Sequence, residues 1–160
     1  MQKITPFLWF NNNAEEALNF YSAIFKDSKI GEISRYNDES AKVSGQLSGS
    51  LMTATLEING QQFMLLNGGP LYKFSEAISF VISCEDQDEV DYYWTKLTAD
   101  GGEESQCGWL KDKFGLSWQV VPKQLGTYLG NPNPEKANRA IQAMFKMHKL
   151  DLKLFEEAIK

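Results

Sequence analysis

The same order of secondary-structure signals occurs twice along this chain of 160 residues. In the first half, the apolar run Lys3–Phe10 predicts a strand, and apolar residues at helical spacing follow from Ala14 to Phe25. Asn13 is positioned to cap this helix, with Glu16 three residues on. Three more strand-like segments come next, at about Ile30–Tyr36, Leu51–Ile58 and Gln61–Leu66. The order is βαβββ.

The second half repeats this order. Ala77–Ser83 predicts a strand, Asp86 is positioned to cap a helix, and Gly101-Gly102 ends that helix. The segment Cys107–Pro122 then reads as two strands around a tight turn. We therefore predict an α+β fold of two tandem βαβββ modules with a C-terminal helical tail. The predicted divisions of this one compact domain are a first module at 1–67, a linker at 68–76, a second module at 77–125 and the tail at 126–160.

The two halves also align residue by residue. Matching the helices places Phe10 on Ile82, and Gly60 and Gly115 each lie four residues before the positions Met64 and Gln119. The alternation of the first strand turns Ile4, Leu8 and Phe10 toward the helix. Within the first module, the polar stretch Ser40–Ser50 between two predicted strands predicts a mobile loop.

Composition excludes several classes of protein. The net charge is −5, from 16 basic and 21 acidic residues, which argues against a nucleic-acid partner. The chain has no run of about 18 apolar residues and no signal sequence, so we predict no membrane association and a cytoplasmic location. The two cysteines, Cys84 and Cys107, form no CxxC motif or disulfide framework.

Four segments resemble one known family. They are Ile4–Phe10, Ala14–Tyr21, Gly108–Pro122 and the tail segment Ala137–Leu152. Together they resemble the PhnB-like family, also named the 3-demethylubiquinone-9 3-methyltransferase domain, within the vicinal oxygen chelate superfamily of glyoxalases, bleomycin-resistance proteins and extradiol dioxygenases. This resemblance implies paired modules whose sheets enclose a ligand cavity.

The resemblance also implies where a metal would bind. Metal-using members of the superfamily take ligands from the first and last strands of each module, which here gives Thr5, Met64, Ala77 and Gln119. A divalent ion needs several converging N, O or S donors, and the one histidine, His148, lies far from these strands in the sequence. We therefore predict no metal site and no cofactor.

The predicted ligand cavity is apolar with few polar groups. Its lining residues are Thr5, Phe7, Trp9, Met64, Cys107, Trp109 and Gln119. Gln119 either binds the ligand or bonds within the sheet, and Phe7 and Trp9 either stack on the ligand or fill a core. Cys107 is either a small packing residue or a nucleophile that needs a partner to lower its pKa.

Other residues have plainer roles. We expect His148 to be structural, Trp118 to point away from Gln119, and Lys111, Asp112 and Lys113 to be solvated turn charges. No strand–GxGxxG–helix motif for a nucleotide or S-adenosylmethionine is present.

Two functions remain open at this stage. The first is a homodimeric protein that binds a small, aromatic molecule without catalysis. The alternative is a glyoxalase- or dioxygenase-like enzyme with a non-standard metal or metal-free site, or the methyltransferase of the family name.

Overall fold

The computed structural model describes residues 2–160 as two compact units that divide between Phe74 and Ser75. Both units contain the order βαβββ, with one additional short helix after the second strand of unit 1. Further helices follow the strands of unit 2, so the predicted fold class is confirmed. No helix in the described range is long and apolar enough to cross a membrane.

Unit 1 is a four-stranded sheet with one helix packed on it. Its elements are β1 (Phe7–Phe10), α1 (Ala14–Ile24), β2 (Ser28–Arg35), α2 (Asp38–Ser44), β3 (Leu51–Ile58) and β4 (Gln61–Asn67). The strand order is β1-β4-β3-β2, with β1 parallel to β4 and the other pairs antiparallel. Buried residues of α1, among them Leu18 and Tyr21, face the core side of β3 and β4. The edge strand β2 has irregular register against β3 between Ile30 and Ile33.

The buried side chain of Asn67 joins three parts of unit 1. Its Oδ1 accepts from the backbone N–H of Ala14 at 2.8 Å, and its Nδ2 donates to the carbonyl of Leu51 at 2.9 Å. The carbonyl of Asn67 itself accepts from the hydroxyl of Tyr36. The expected cap of α1 by Asn13 is therefore wrong, because Asn13 makes no side-chain cap bond and Asn67 satisfies the first helical N–H instead.

Two other expectations for unit 1 are corrected. Residues 38–44 form α2 rather than a loop, because Asn37 and Ser40 make a reciprocal capping box. Ile4 does not face the helix: β1 begins only at Phe7, and Ile4 is 85% exposed. Pro6, which has no N–H, lies at this boundary and offers only its carbonyl, which accepts from Met64.

Unit 2 begins with a second four-stranded sheet. Its elements are β5 (Ser79–Cys84), α3 (Gln87–Thr98), β6 (Glu103–Glu104), β7 (Trp109–Lys111) and β8 (Ser117–Pro122). The strand order β5-β8-β7-β6 repeats that of unit 1, with β5 parallel to β8. Asp86 caps α3 as expected, since its carboxylate accepts from the N–H of Glu89 at 3.0 Å.

The helical tail of unit 2 has a small core of its own. Its helices are α4 (Leu125–Leu129), α5 (Pro134–Met144) and α6 (Leu152–Ala158). Ala140, Met147, Leu150 and Phe155 are buried there together. Asn133 caps α5, with its side chain accepting from the N–H groups of two residues of the first turn.

The tail is bonded to the segment that precedes β7. The N–H of Cys107 donates to the carbonyl of Met147, and the N–H of Gly108 to that of His148. A Cβ on Gly108 would lie 2.9 Å from the carbonyl oxygen of Val120 and 3.0 Å from Leu150, so this close approach requires glycine. Gln87 of α3 adds bonds to the backbone of Leu150 and Leu152.

Candidate functional site

One face of the unit 1 sheet, the face turned away from α1, gathers three of the expected cavity residues. Phe7 pairs with Met64, and Met64 pairs on its other side with Thr55. Trp9 pairs with Leu66, which the sequence did not single out, on the same face. Strand alternation explains this grouping, because the neighbours Leu8 and Phe10 are buried on the opposite face.

Trp9 is held in place by the segment that follows β4. Its indole Nε1 donates to the carbonyl of Gly69 at 2.9 Å, and its ring meets that of Tyr72 edge-on at 5.0 Å. A Cβ on Gly68 would lie 2.4 Å from the indole ring, so glycine is needed where the ring crosses the backbone. Thr5, just ahead of β1, is half-buried. The indole is therefore a fixed wall of this face.

The corresponding face of the unit 2 sheet carries Gln119 between two neighbours. Gln119 pairs with Val81 on one side and with Trp109 on the other. Its Nε2 donates to Ser79 Oγ at 2.9 Å, and within residues 2–160 this is its one side-chain hydrogen bond. Of the two alternatives for Gln119, the structure shows a bond within the sheet that leaves Oε1 available.

The strand ends correct the alignment of the two units. Gly68 donates its N–H to the carbonyl of Phe10, and Lys123 does the same to Cys84, so Phe10 corresponds to Cys84 and not to Ile82. Counting back along both strands replaces Ala77 by Ser79 as the counterpart of Thr5. The match of Met64 to Gln119 is unaffected, because the pair Phe7 and Met64 corresponds to the pair Val81 and Gln119.

The thiol of Cys107 is bonded to the helical tail. Its Sγ donates to the carbonyl of Met144 at 3.6 Å, and its backbone φ is +58°. The Cys107 thiol, the candidate nucleophile, thus contacts the helical tail. Burial, and next the carboxylate of Glu89, raise the pKa of the Cys84 thiol to about 12, which suits a packing role.

His148 uses both ring nitrogens to attach the tail. Nδ1 lies 2.9 Å from the carbonyl oxygen of Ser105, and Nε2 lies 3.3 Å from the amide Nε2 of Gln106. Because a carbonyl oxygen can only accept, His148 Nδ1 donates to Ser105. The structural role expected for His148 is confirmed.

The turn between β7 and β8 does not carry solvated charges as expected. Asp112 is 2% exposed, and its Oδ1 accepts from the N–H groups of Phe114 and Leu116. Its Oδ2 accepts from Trp118 Nε1 at 2.9 Å, on the buried side of β8 opposite Gln119. A D-x-x-G turn followed six residues on by a core tryptophan is the sequence signal that could have revealed this.

Lys111 is likewise engaged. Its Nζ lies 3.0 Å from a carboxylate oxygen of Glu103 and 3.2 Å from one of Glu76. The hydrogen bonds that Lys111 donates to these carboxylates, that to Glu103 first, raise the pKa of its ammonium. A positive charge neutralised on both sides is a poor anchor for a ligand.

Ser117 is a buried polar residue that sequence reasoning missed. It is 1% exposed, and its Oγ has no hydrogen-bond partner among residues 2–160. It pairs with Ser79 across the parallel strands, two residues before Gln119. No signal in the sequence distinguishes it from a bonded strand serine.

The donors at the superfamily's metal positions do not suit a divalent ion. With the strand register of the structure, the resemblance puts these positions at Thr5, Met64, Ser79 and Gln119. Two neutral hydroxyls, a thioether and an amide already donating to Ser79 offer neither carboxylate nor imidazole, the usual protein ligands. Elsewhere in the described chain, no three His, Cys, Asp or Glu residues lie close enough to hold a metal.

Comparison with known proteins decides the family. The sequence model of the 3-demethylubiquinone-9 3-methyltransferase family matches residues 2–121. The chain belongs to this family. No curated protein matches it in sequence.

Several solved structures share the fold of this chain. The PhnB protein of Bacillus cereus, which carries the same methyltransferase name, is 37% identical, with a TM-score of 0.68 over 76% of this chain and 99% of its own. Protein PA1353 of Pseudomonas aeruginosa is 18% identical, with a TM-score of 0.61 over 76% and 98% of the two chains. The fosfomycin resistance protein FosX of Listeria monocytogenes, solved with Mn(II) and sulfate, is 17% identical, with a TM-score of 0.52 over 81% and 98%. The expected PhnB-like family is confirmed, and the last two likenesses establish the fold alone.

Proposed function

We propose that this PhnB-like protein binds a small, flat apolar molecule without a resident divalent metal and without catalysing a reaction. The observation that carries the proposal is the donor set Thr5, Met64, Ser79 and Gln119, which lacks carboxylate and imidazole. On the unit 1 face, the rings of Phe7 and Trp9 stack on the ligand and Met64 forms an apolar wall. On the unit 2 face, Gln119 Oε1 is available to accept one hydrogen bond from a bound molecule. Trp109, beside Gln119, extends the lining.

The metal half of this proposal is tested on protein purified without chelator. We expect no stoichiometric metal by elemental analysis and no rise in melting temperature with Mn²⁺, Ni²⁺, Zn²⁺ or Co²⁺. A ligand at about 100 times its Kd would stabilise the native state by about 2.7 kcal/mol, so specific binding would be visible. A bound metal with such a shift would contradict the proposal and favour the enzyme alternative.

A matched variant shows that the assay can detect a site. Gln119→Glu supplies one carboxylate at the metal position, whereas Gln62→Glu adds the same charge on the exposed part of β4. If the ions raise the melting temperature of Gln119→Glu alone, the position can take part in metal binding once it carries a carboxylate. S-adenosylmethionine in the same screen tests the methyltransferase name, and we expect no stabilisation.

The ligand half is tested by screening small aromatic compounds for an increase in melting temperature. Phe7→Ser removes an aromatic side chain that is already 50% exposed, so the fold should survive. Val43→Ser makes a comparable change at a residue of α2 that is 92% exposed. We expect compounds that stabilise the parent protein to lose about tenfold in affinity in Phe7→Ser and to be unaffected in Val43→Ser. Equal losses in both variants would show that the compounds bind elsewhere.

The proposal includes a homodimer in the cytoplasm that helps enclose the cavities. Members of the superfamily that this chain resembles often form dimers, which supports this part of the proposal. Sedimentation equilibrium at micromolar concentrations measures the mass directly, and a single 18.1 kDa species would contradict it.

A further inference from the structure

The helical tail lies outside the residues that the family model matches, so the model does not bear out the resemblance found in Ala137–Leu152. The family match ends at residue 121, ahead of α4. The Bacillus cereus PhnB protein is matched over 99% of its length yet covers only 76% of this chain. The βαβββ fold is therefore complete in a relative that lacks about a quarter of this chain. The tail is an addition whose own surface can carry a separate role.

A groove of about 460 Å³ runs between α5 and α6 of this tail. Its apolar lining includes Ala143, Met147 and Leu154, and Leu154 is 45% exposed although it is a large apolar residue. The volume lies within the range of small-molecule sites. The groove is built by residues 139–158 alone, so it is complete within unit 2.

The groove also presents two available cations. Arg139 and Lys146 both line it. Arg139 lies within α5, and Lys146 lies two residues beyond the end of that helix at Met144. Arg139 Nε donates to the carbonyl of Ala158 at 2.7 Å, which anchors the guanidinium and leaves its two Nη groups without a partner among residues 2–160. The chain's other arginine, Arg35, is by contrast paired with Glu15 through both Nη groups.

The charge of the lining favours an anion. Glu157 is the one carboxylate among the described residues that line the groove, against the two cations Arg139 and Lys146. Within residues 2–160, neither cation forms an ion pair with it. The lining thus has a net charge of +1 in a chain whose net charge is −5. An apolar floor with an unpaired guanidinium at its rim matches a molecule that is apolar along its length and anionic at one end.

We propose that this groove binds an aliphatic carboxylate. The alkyl chain lies along Ala143, Met147 and Leu154, and the carboxylate accepts charge-assisted hydrogen bonds from Arg139 Nη and Lys146 Nζ. This site lies wholly within the tail and shares no residue with the ligand contacts proposed above, so either proposal can fail without the other.

Isothermal titration with octanoate below its micelle concentration, and with octanol as the neutral analogue, tests the site on the full chain. We expect saturable binding of octanoate, with octanol about tenfold weaker because it lacks the charge that Arg139 and Lys146 pair with. The double variant Arg139→Gln/Lys146→Gln should bind octanoate about tenfold more weakly. The control Lys136→Gln/Lys153→Gln removes the same amount of charge from α5 and α6 outside the groove and should bind as the parent does.

The apolar half has its own variant. Leu154→Ser alters a part-exposed side chain and should weaken octanoate and octanol alike, while circular dichroism verifies that every variant is folded. Absence of saturable octanoate binding by the parent protein, equal affinity for octanol, or an equal loss in the Lys136→Gln/Lys153→Gln control would each overturn the proposal.

Discussion

The two units share one strand order but stabilise it with different polar residues. In unit 1, the neutral amide of Asn67 fastens the end of β4 to α1 and β3. In unit 2, the carboxylate of Asp112 fastens the turn before β8 and the core residue Trp118. The corresponding rows of the two sheets differ as well: they are Phe7, Met64 and Thr55 in one, and Val81, Gln119 and Trp109 in the other. A repeated backbone pattern therefore does not imply repeated chemistry.

The largest effect is expected in unit 2. Asp112→Ala leaves two backbone N–H groups and the indole N–H of Trp118 without their acceptor, and the lost bonds are charge-assisted. We expect the free energy of unfolding to fall by about 3 kcal/mol or more, measured by urea denaturation. Asp88→Ala removes an exposed carboxylate from the first turn of α3 as a control. Similar losses in both variants would contradict the role of Asp112.

The counterpart change in unit 1 should cost less. Asn67→Ala removes the acceptor of the Ala14 N–H and the donor to the Leu51 carbonyl, both neutral bonds. A loss of about 2 kcal/mol is expected in the same urea experiment. Asn67→Asp keeps an acceptor for Ala14 but lacks the donor, so its stability should not exceed that of the parent. If Asn67→Ala proved more harmful than Asp112→Ala, the ranking of the two units would be reversed.

Two hydroxyl groups sharpen the comparison further. Thr53 Oγ1 in unit 1 is 2.6 Å from Ser34 Oγ, whereas Ser117 Oγ in unit 2 has no partner within residues 2–160. Thr53→Val should therefore destabilise by about 1 kcal/mol, while Ser117→Ala should stabilise by up to about 1 kcal/mol. Thermal melts of both variants give the sign directly. A destabilising Ser117→Ala would mean that this hydroxyl is satisfied in solution.

The smallest effect concerns the tail of unit 2. A hydrogen bond from Lys149, opposed by desolvation and aided by Gln87, lowers the pKa of the Asp91 carboxyl below its ordinary value. A carboxyl with a depressed folded-state pKa stabilises the protein above its ordinary pKa, and this contribution is lost as the pH falls through the folded pKa. Because Asp91 and Lys149 are both part-exposed, we expect only about 0.5 kcal/mol.

Urea midpoints at pH 7 and pH 3 measure this contribution. The parent protein should lose about 0.5 kcal/mol more between the two than Asp91→Asn does, since all other carboxylates titrate in both proteins. An identical pH dependence in the two proteins would show that the ion pair between Asp91 and Lys149 does not stabilise the tail.

Much of the fold could be predicted from local patterns. Alternation along β1 and β8 correctly oriented Leu8, Phe10 and Trp118, and the glycine spacing correctly matched Met64 to Gln119. The errors arose where a distant residue replaced a local one. Asn67 accepts the helical N–H of Ala14 in place of the cap expected of Asn13. Asp112, expected to be solvated, is buried and accepts a hydrogen bond from the Trp118 indole.

The candidate site was less accessible to sequence reasoning. Phe7, Trp9 and Met64 do share a face, because alternation fixes faces without knowledge of the rest of the chain. Cys107 is expected at the cavity because it starts the penultimate strand, but its thiol bonds to Met144, which lies 37 residues further along the chain. Long-range docking of this kind has no periodic signal.

The irregular edge strand β2 has a consequence for solubility. Its backbone edge lies opposite β3, where it could recruit a strand from another molecule. The charged residues Lys29, Glu32 and Arg35 along it, together with the break in register after Ile30, make such recruitment unfavourable. Replacing these charges with apolar residues would convert a tolerated edge into a nucleus for aggregation, although the strand would pair with β3 as before.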